Sequence, residues 1–152
     1  MTDSEPVTKI PTDASEVANE AGNPPVPADA MLLELVPVPV TDIDRSIGFY
    51  RDRLGFHLDV DVKPQPGTRI AQLTPPGSAC SIVLSEGVAA IAMPTGILRG
   101  LHLVVADIEA ARDKLVAQGV SVGGVEDLGG VLYANFADPD GNTWSLQHMP
   151  WR

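Results

Sequence analysis

The sequence predicts an α+β protein built from two tandem βαβββ modules, and two observations lead to this fold class. The segment 37–56 recurs at 102–120, and the segment 69–84 recurs at 133–148 in the same order. Each copy also begins with a short β-prone run, continues with a helical pattern and ends in short alternating segments. Because a repeat of this kind marks one supersecondary unit, the chain is expected to contain the same module twice.

The first strand of module one is predicted in the stretch LELVPVPV, residues 33–40. Pro37 and Pro39 lie two residues apart in this run, so both remove a backbone donor from the same side of the strand. A central strand needs donors on both sides. We therefore predict that this strand is an edge of its sheet or lies at a module seam.

The helix of module one follows directly. Thr41 or Asp42 can cap its first turn, and Gly55 is placed to end it. Its apolar residues recur at i, i+4, i+7 and i+11, which is one helical face: Ile43, Ile47, Tyr50 and Leu54.

Three further strands are predicted in each module, because the remaining segments are short and either β-branched or alternating. In module one they are FHLDVDV (56–62), TRIAQLT (68–74) and ACSIVLS (79–85). In module two they are VSVGGVE (120–126), VLYANFA (131–137) and NTWSLQH (142–148).

Module two begins with a strand in which Leu101, Leu103 and Val105 alternate with the residues Gly100, His102 and Val104. The first set is expected to back onto the helix and the second to face away from it. The helix that follows carries the matching apolar stripe Ile108, Ala111 and Leu115, and Gly119 is placed to end it.

Composition divides the chain into a tail and one domain. Residues 1–29 contain five prolines, no aromatic residue and six acidic residues against one basic residue, a composition that predicts disorder. Residues 30–152 form the predicted domain, with modules at about 31–90 and 98–149.

Charge and cysteine content exclude several classes of protein. The net charge is −10 without a cluster of Lys or Arg, which argues against binding to nucleic acid or to an anionic membrane. The single cysteine, Cys80, excludes an internal disulfide and a cysteine-based zinc site. No apolar run reaches the roughly 18 residues of a membrane span. We therefore expect a soluble, cytoplasmic protein.

Two motifs carry a resemblance to a known family. The segment DIDRSIGFYRDRLGF (42–56) and the segment FADPDGNTW (136–144), in tandem βαβββ modules, resemble the vicinal oxygen chelate superfamily. That superfamily includes glyoxalase I, bleomycin resistance proteins and extradiol dioxygenases, and the resemblance covers about residues 31–149. It implies a curved mixed sheet around a cup, with the helices on the outside, and a homodimer.

The resemblance also implies positions for metal ligands, and none holds a usual ligand here. These positions are Leu35, Ser81, Gly100 and Ser145. The next residues on the same strand faces are Pro37, Val83, His102 and Gln147, of which two could coordinate an ion. Two neutral ligands without a carboxylate make a weak site for a divalent cation. We therefore expect no metal.

The candidate ligand-binding residues lie on the strands that would line the cup: His102, Gln147, Ser145, Tyr133 and Asn135. No catalytic residue can be assigned, because no carboxylate is identifiable as an orienting partner for His102. His57 and His148 are predicted to be surface residues, and Trp144 a core residue.

The function predicted from these residues is metal-independent binding of a small molecule, in the manner of bleomycin resistance proteins. One alternative is an enzyme of the same fold, a lyase, isomerase or dioxygenase with one divalent metal held by His102, Gln147 and water. Another is a protein-interaction module that uses the acidic tail. Whether the chain catalyses a reaction is left open.

Overall fold

The computed structural model of the protein describes residues 24–152. The predicted disorder of residues 1–29 lies outside the described residues except for 24–29, which are exposed. The elements in chain order are β1 (Leu35–Pro37), α1 (Ile43–Ile47) continued by a π-helical segment (Gly48–Arg53), β2 (His57–Gln65), β3 (Thr68–Thr74), β4 (Ser81–Glu86), a short 3₁₀ turn (Ala89–Ile91), β5 (Leu101–Val104), α2 (Ile108–Ala117), β6 (Glu126–Leu128), β7 (Val131–Ala137) and β8 (Thr143–His148).

Two four-stranded mixed sheets confirm the predicted α+β fold and its modular repeat. Sheet 1 has the strand order β1-β4-β3-β2, and sheet 2 has the order β5-β8-β7-β6. In each sheet the first strand of the module runs parallel to the last, and the other pairs are antiparallel. β1 and β5 are therefore both edge strands, as the two prolines predicted for β1.

The helix of module one begins and ends where the sequence predicts. The Asp42 side chain accepts a hydrogen bond from the Arg45 amide at 3.0 Å, and Gly55 ends the segment at φ +79°. The last turns widen into a π-helix, in which the Leu54 amide donates to the Phe49 carbonyl. This widening allows the consecutive residues Phe49 and Tyr50 both to be buried. Between residues 24 and 152, neither helix has the length and apolar character that a bilayer crossing requires.

One hydrophobic core joins both modules. It contains helix residues such as Ile47 and Leu115, together with alternate residues of both sheets, for example Leu84 and Leu146. Trp144 is 3% exposed within it, as predicted. Each sheet therefore turns one face to the shared core and the other face away from it.

One predicted strand of module two lies elsewhere. Only the last residue of the predicted segment 120–126 is in a strand, and β6 instead occupies Glu126–Leu128. Arg112 explains the difference, because its guanidinium donates to the carbonyls of Val122 and Gly123 at 3.1 and 2.7 Å. These carbonyls are thus engaged by a side chain from α2 instead of by a neighbouring strand.

Candidate functional site

The turn that precedes β8 is a structural junction between the two modules. The Asp138 carboxylate is 5% exposed and accepts four hydrogen bonds of 2.8–2.9 Å. The donors are the Tyr50 hydroxyl, the Asp140 amide, and the backbone and side-chain amides of Asn142. Trp144 in turn donates to the Tyr50 oxygen at 3.0 Å. A buried carboxylate satisfied in this way holds a turn in place.

Tyr50 stays protonated at this junction. Its burial, followed by the nearby Asp138 carboxylate, raises the pKa of its hydroxyl far above the ordinary value. The hydroxyl can therefore act as a donor to Asp138 at any working pH. The DPDGN segment contributes packing and hydrogen bonds. Both Asp138 oxygens accept hydrogen bonds within the fold, whereas Asp140 accepts from Thr41 and Arg45 through Oδ1 only, and its Oδ2 is buried without a partner among residues 24–152.

The face of sheet 2 that turns away from the core brings together the five side chains predicted to bind a ligand. His102 pairs with Ser145 across β5 and β8, and the Ser145 hydroxyl donates to the Asn135 side-chain oxygen at 2.6 Å. On the same face the Gln147 amide donates to the Tyr133 hydroxyl at 3.2 Å. The predicted group of residues is thus a continuous patch across three strands, which we call the sheet 2 polar patch.

His102 occupies one side of this patch. Its imidazole packs edge-to-face on the Tyr133 ring, with centroids 5.9 Å apart and planes at 87°. Its Nδ1 lies against the Gly100 carbonyl, so Nδ1 carries the proton and Nε2 is left as an acceptor. The patch therefore offers two aromatic rings, two amide side chains, two hydroxyls and an imidazole nitrogen.

A metal ion does not fit the sheet 2 polar patch. The residue that pairs with Ser145 is His102, whereas the family resemblance implies Gly100 as the first-strand ligand position of module two. The difference arises because Leu35, which pairs with Ser81, lies seven positions before Asp42, but His102 lies five positions before Asp107. The patch side chains beside the His102 imidazole are serine, amide and tyrosine groups and include no carboxylate. Within residues 24–152 no three His, Cys, Asp or Glu side chains come together.

Sequence reasoning missed one acidic residue on this face. Glu126 pairs directly with Tyr133 in the β6–β7 ladder and is exposed on the same side of the sheet. It lies three strands from His102, with backbones about 14 Å apart at roughly 4.8 Å per strand, and joins no group of three His, Cys, Asp or Glu side chains within residues 24–152. The misplaced boundary of β6 hid this residue.

In sheet 1 the equivalent face is also different from the expected one. The alignment of segment 69–84 with 133–148 places Arg69 over Tyr133 and Ala71 over Asn135. However, Ala71 is fully buried in the core and Arg69 forms ion pairs with Asp61 and Asp44. Gln72 pairs with Val83 in sheet 1, and Tyr133 pairs with Gln147 in sheet 2. Because Val83 is the repeat equivalent of Gln147, the structural equivalent of Tyr133 in sheet 1 is Gln72. The outward residues of β3 are Ile70, Gln72 and Thr74.

The other candidate residues, Cys80, His148 and His57, lie outside the sheet 2 polar patch. Cys80 is half-buried, and burial raises the pKa of its thiol, which disfavours the nucleophilic thiolate. His148 lies near the Val105 carbonyl at 3.2 Å and is half-buried. His57 is exposed, as predicted.

Comparison with known proteins agrees with the architecture. Residues 32–146 match the family model of the glyoxalase/bleomycin resistance protein/dioxygenase superfamily. The structure resembles TnmS3, an antibiotic-binding protein from Streptomyces sp. CB03234, at 34% identity and a TM-score of 0.70, covering 79% of this chain and 97% of that one. It also resembles a glyoxalase/bleomycin resistance protein from the same organism, at 37% identity and a TM-score of 0.64, covering 74% and 96%.

A more distant relative is a member of the same superfamily from Sphaerobacter thermophilus DSM 20745. Its identity is 26% and its TM-score 0.69, with 79% of this chain and 98% of that chain covered. No curated protein matches the chain.

Proposed function

Because this chain belongs to the glyoxalase/bleomycin resistance protein/dioxygenase superfamily, we propose that it binds a small organic molecule on the sheet 2 polar patch without a metal ion. The observation that carries the proposal is the contact between five hydrogen-bonding side chains, none of them a carboxylate, on one open face. Such groups fix the orientation of a ligand through its polar atoms. The metal-dependent alternative needs a carboxylate next to His102, and the nearest strands supply serine and amide side chains instead.

The patch favours a ligand that is planar in part and has several hydrogen-bonding groups. His102 and Tyr133 supply aromatic rings, while Gln147 and Asn135 have amide groups. The likeness to an antibiotic-binding protein over nearly its whole length supports an antibiotic or a natural product of similar size. On this proposal the chain sequesters its ligand and leaves it chemically unchanged.

A second copy of the chain is the proposed cover of this patch. The patch is open in one chain, and β1 and β5 each have a strand neighbour on one side only among the described residues. Val104 on β5 is 42% exposed beside this free edge. Exposed apolar residues at an unpaired edge are typical of an interface between chains.

We expect the protein to be a homodimer in solution, and Val104→Lys to weaken it. Light scattering after size exclusion should give twice the mass of the chain for the wild type. The variant should shift to the monomer at low concentration, because a charge at an edge strand opposes pairing. Val116→Lys is the matched control, since Val116 is 46% exposed on α2 and away from the edge. A wild-type protein that is monomeric at all accessible concentrations would remove this part of the proposal.

Native mass spectrometry of the protein purified from its own cells tests the binding function itself. We expect an organic molecule to be bound non-covalently, at no more than one per chain, and to be retained after dialysis against a chelator. The unfolded protein should show the mass of the chain alone. Release of the molecule together with an ion on chelation would instead support the metal-dependent alternative.

A further inference from the structure

A second polar cluster lies on the outward face of sheet 1, away from the sheet 2 polar patch. It borders a cavity of about 410 Å³ between the start of β2 and the turn that joins β3 to β4. His57, Asp59, Thr74 and Ser81 line this cavity, and the turn supplies small residues such as Gly77 and Ala79. The space is large enough for a substituted ring.

The side chains of the cluster form one continuous chain of hydrogen bonds. The Gln72 amide donates to the Ser81 hydroxyl at 3.2 Å, and the Ser81 and Thr74 hydroxyls lie 2.6 Å apart. Thr74 in turn donates to one oxygen of the Asp59 carboxylate, and the other oxygen lies 2.7 Å from Nδ1 of His57.

The direction of these bonds fixes the position of the ring proton of His57. A carboxylate only accepts hydrogen bonds, so the Thr74 hydroxyl must donate its one proton to Asp59. In the contact between Thr74 and Ser81, therefore, Ser81 must be the donor. Gln72 then donates to Ser81, and Nδ1 of His57 must donate to the second carboxylate oxygen. In neutral His57, therefore, Nε2 is the acceptor.

Burial separates the two members of the His57–Asp59 pair. The Asp59 side chain is 10% exposed, whereas the His57 side chain is 76% exposed, and its Nε2 bonds to no residue between 24 and 152. The buried carboxylate thus orients the ring of His57, which lines the cavity and keeps its Nε2 available to a ligand. This is the role of an orienting carboxylate beside a working imidazole.

A β-bulge brings the pair into this position. The pairing of β2 with β3 shifts between Leu58 and Val60, which leaves Asp59 without a partner on β3. β2 is an edge strand of sheet 1, where bulges are common, and a bulge redirects the side chains beside it. Here it places Asp59 within reach of both His57 and Thr74.

From this geometry we propose that the His57–Asp59 pair binds the hydroxyl of a phenol or enol through Nε2 of His57. The ring of the ligand enters the cavity beside the β3–β4 turn, and its O–H donates to the imidazole. Asp59 is a positioning residue, since its carboxylate holds the ring of His57, and Thr74 in turn holds that carboxylate. This site is separate from the sheet 2 polar patch and does not depend on the proposed function.

Ring-nitrogen NMR of the ¹⁵N-labelled full chain, with phenol as the probe, tests the proposal. At about pH 8 phenol keeps its proton, because the unperturbed pKa of a phenolic hydroxyl is about 10. We expect neutral His57 to carry its proton on Nδ1, and phenol to shift the His57 Nε2 resonance in a saturable manner. Anisole has the same ring without the O–H and should leave this resonance unshifted.

Variants separate the site from a surface histidine. In Asp59→Ala the ring loses its orienting partner, and the affinity for phenol should fall roughly tenfold, the loss expected from a hydrogen bond to a charged group. Asp52→Ala removes an exposed carboxylate beside Arg51, outside both sites, and should keep the wild-type response at His57. A neutral His57 protonated on Nε2, or a shift by anisole equal to that by phenol, would overturn the proposal. So would the absence of a saturable shift at His57.

Discussion

Asp138→Ala is expected to lower the free energy of unfolding by roughly 3–5 kcal/mol, because the substitution leaves several buried donors without an acceptor. The Tyr50 hydroxyl and the Asn142 side chain both point at this carboxylate, and both residues are fully buried. Each unpaired buried polar group costs about 1–3 kcal/mol. The loss should appear as a lower denaturation midpoint in urea with an unchanged slope.

Two further variants show whether the effect belongs to this junction. Tyr50→Phe removes one donor to Asp138 and the acceptor of Trp144, so it should cost about 1–3 kcal/mol, less than Asp138→Ala. Asp52→Ala, at a carboxylate that is exposed beside Arg51, should leave the midpoint unchanged. Equal midpoints for Asp138→Ala and the wild type would show that the turn does not hold the modules together.

The second large effect is expected in ligand binding. His102→Ala and Gln147→Ala should each weaken binding of the molecule found by native mass spectrometry by about tenfold or more, since each removes a hydrogen-bonding group from the sheet 2 polar patch. Neither should change the stability greatly, because His102 is exposed and Gln147 half-buried. Calorimetric titration measures the affinities, and a chemical denaturation curve checks the fold.

A control for these variants comes from β8, the strand that carries Gln147. Thr143→Ala lies on β8 at the level of the turn, and its hydroxyl accepts a hydrogen bond from the Gly100 amide and not from a patch residue. It should bind the ligand as the wild type does. If His102→Ala and Gln147→Ala bind normally, the ligand lies elsewhere on the molecule.

The sequence predicts those parts of the fold that depend on local chemistry and periodicity. Asp42 caps its helix as predicted, because a carboxylate at the N-cap accepts from a free amide of the first turn, and the aligned Asp107 does the same in module two. Alternation likewise predicts that Trp144 is buried while Ser145 and Gln147 lie on the opposite face. Alternation also groups Tyr133 with Asn135 on one face of β7, but it does not decide which face of that strand lines the cup.

What the sequence did not predict depends on strand register. Arg69 was matched to Tyr133 because the repeat was aligned at one spacing, while the β3–β4 and β7–β8 hairpins pair at different spacings. A shift of one residue exchanges the two faces of a strand, so the outward residues Gln72 and Thr74 were missed. The bulge at Asp59 has no local signal, since the segment alternates as a regular strand does.

The central claim, binding without a metal ion, is tested most directly by the metal content of the purified protein. After dialysis against zinc, nickel, manganese or iron, elemental analysis should find well below one ion per chain, and a chelator should leave the melting temperature unchanged. A specifically bound ion would instead stabilise the fold by about 2.7 kcal/mol at a free concentration 100 times its dissociation constant. One tightly held ion per chain, lost in His102→Ala together with ligand binding, would contradict the account in favour of a metal-dependent enzyme.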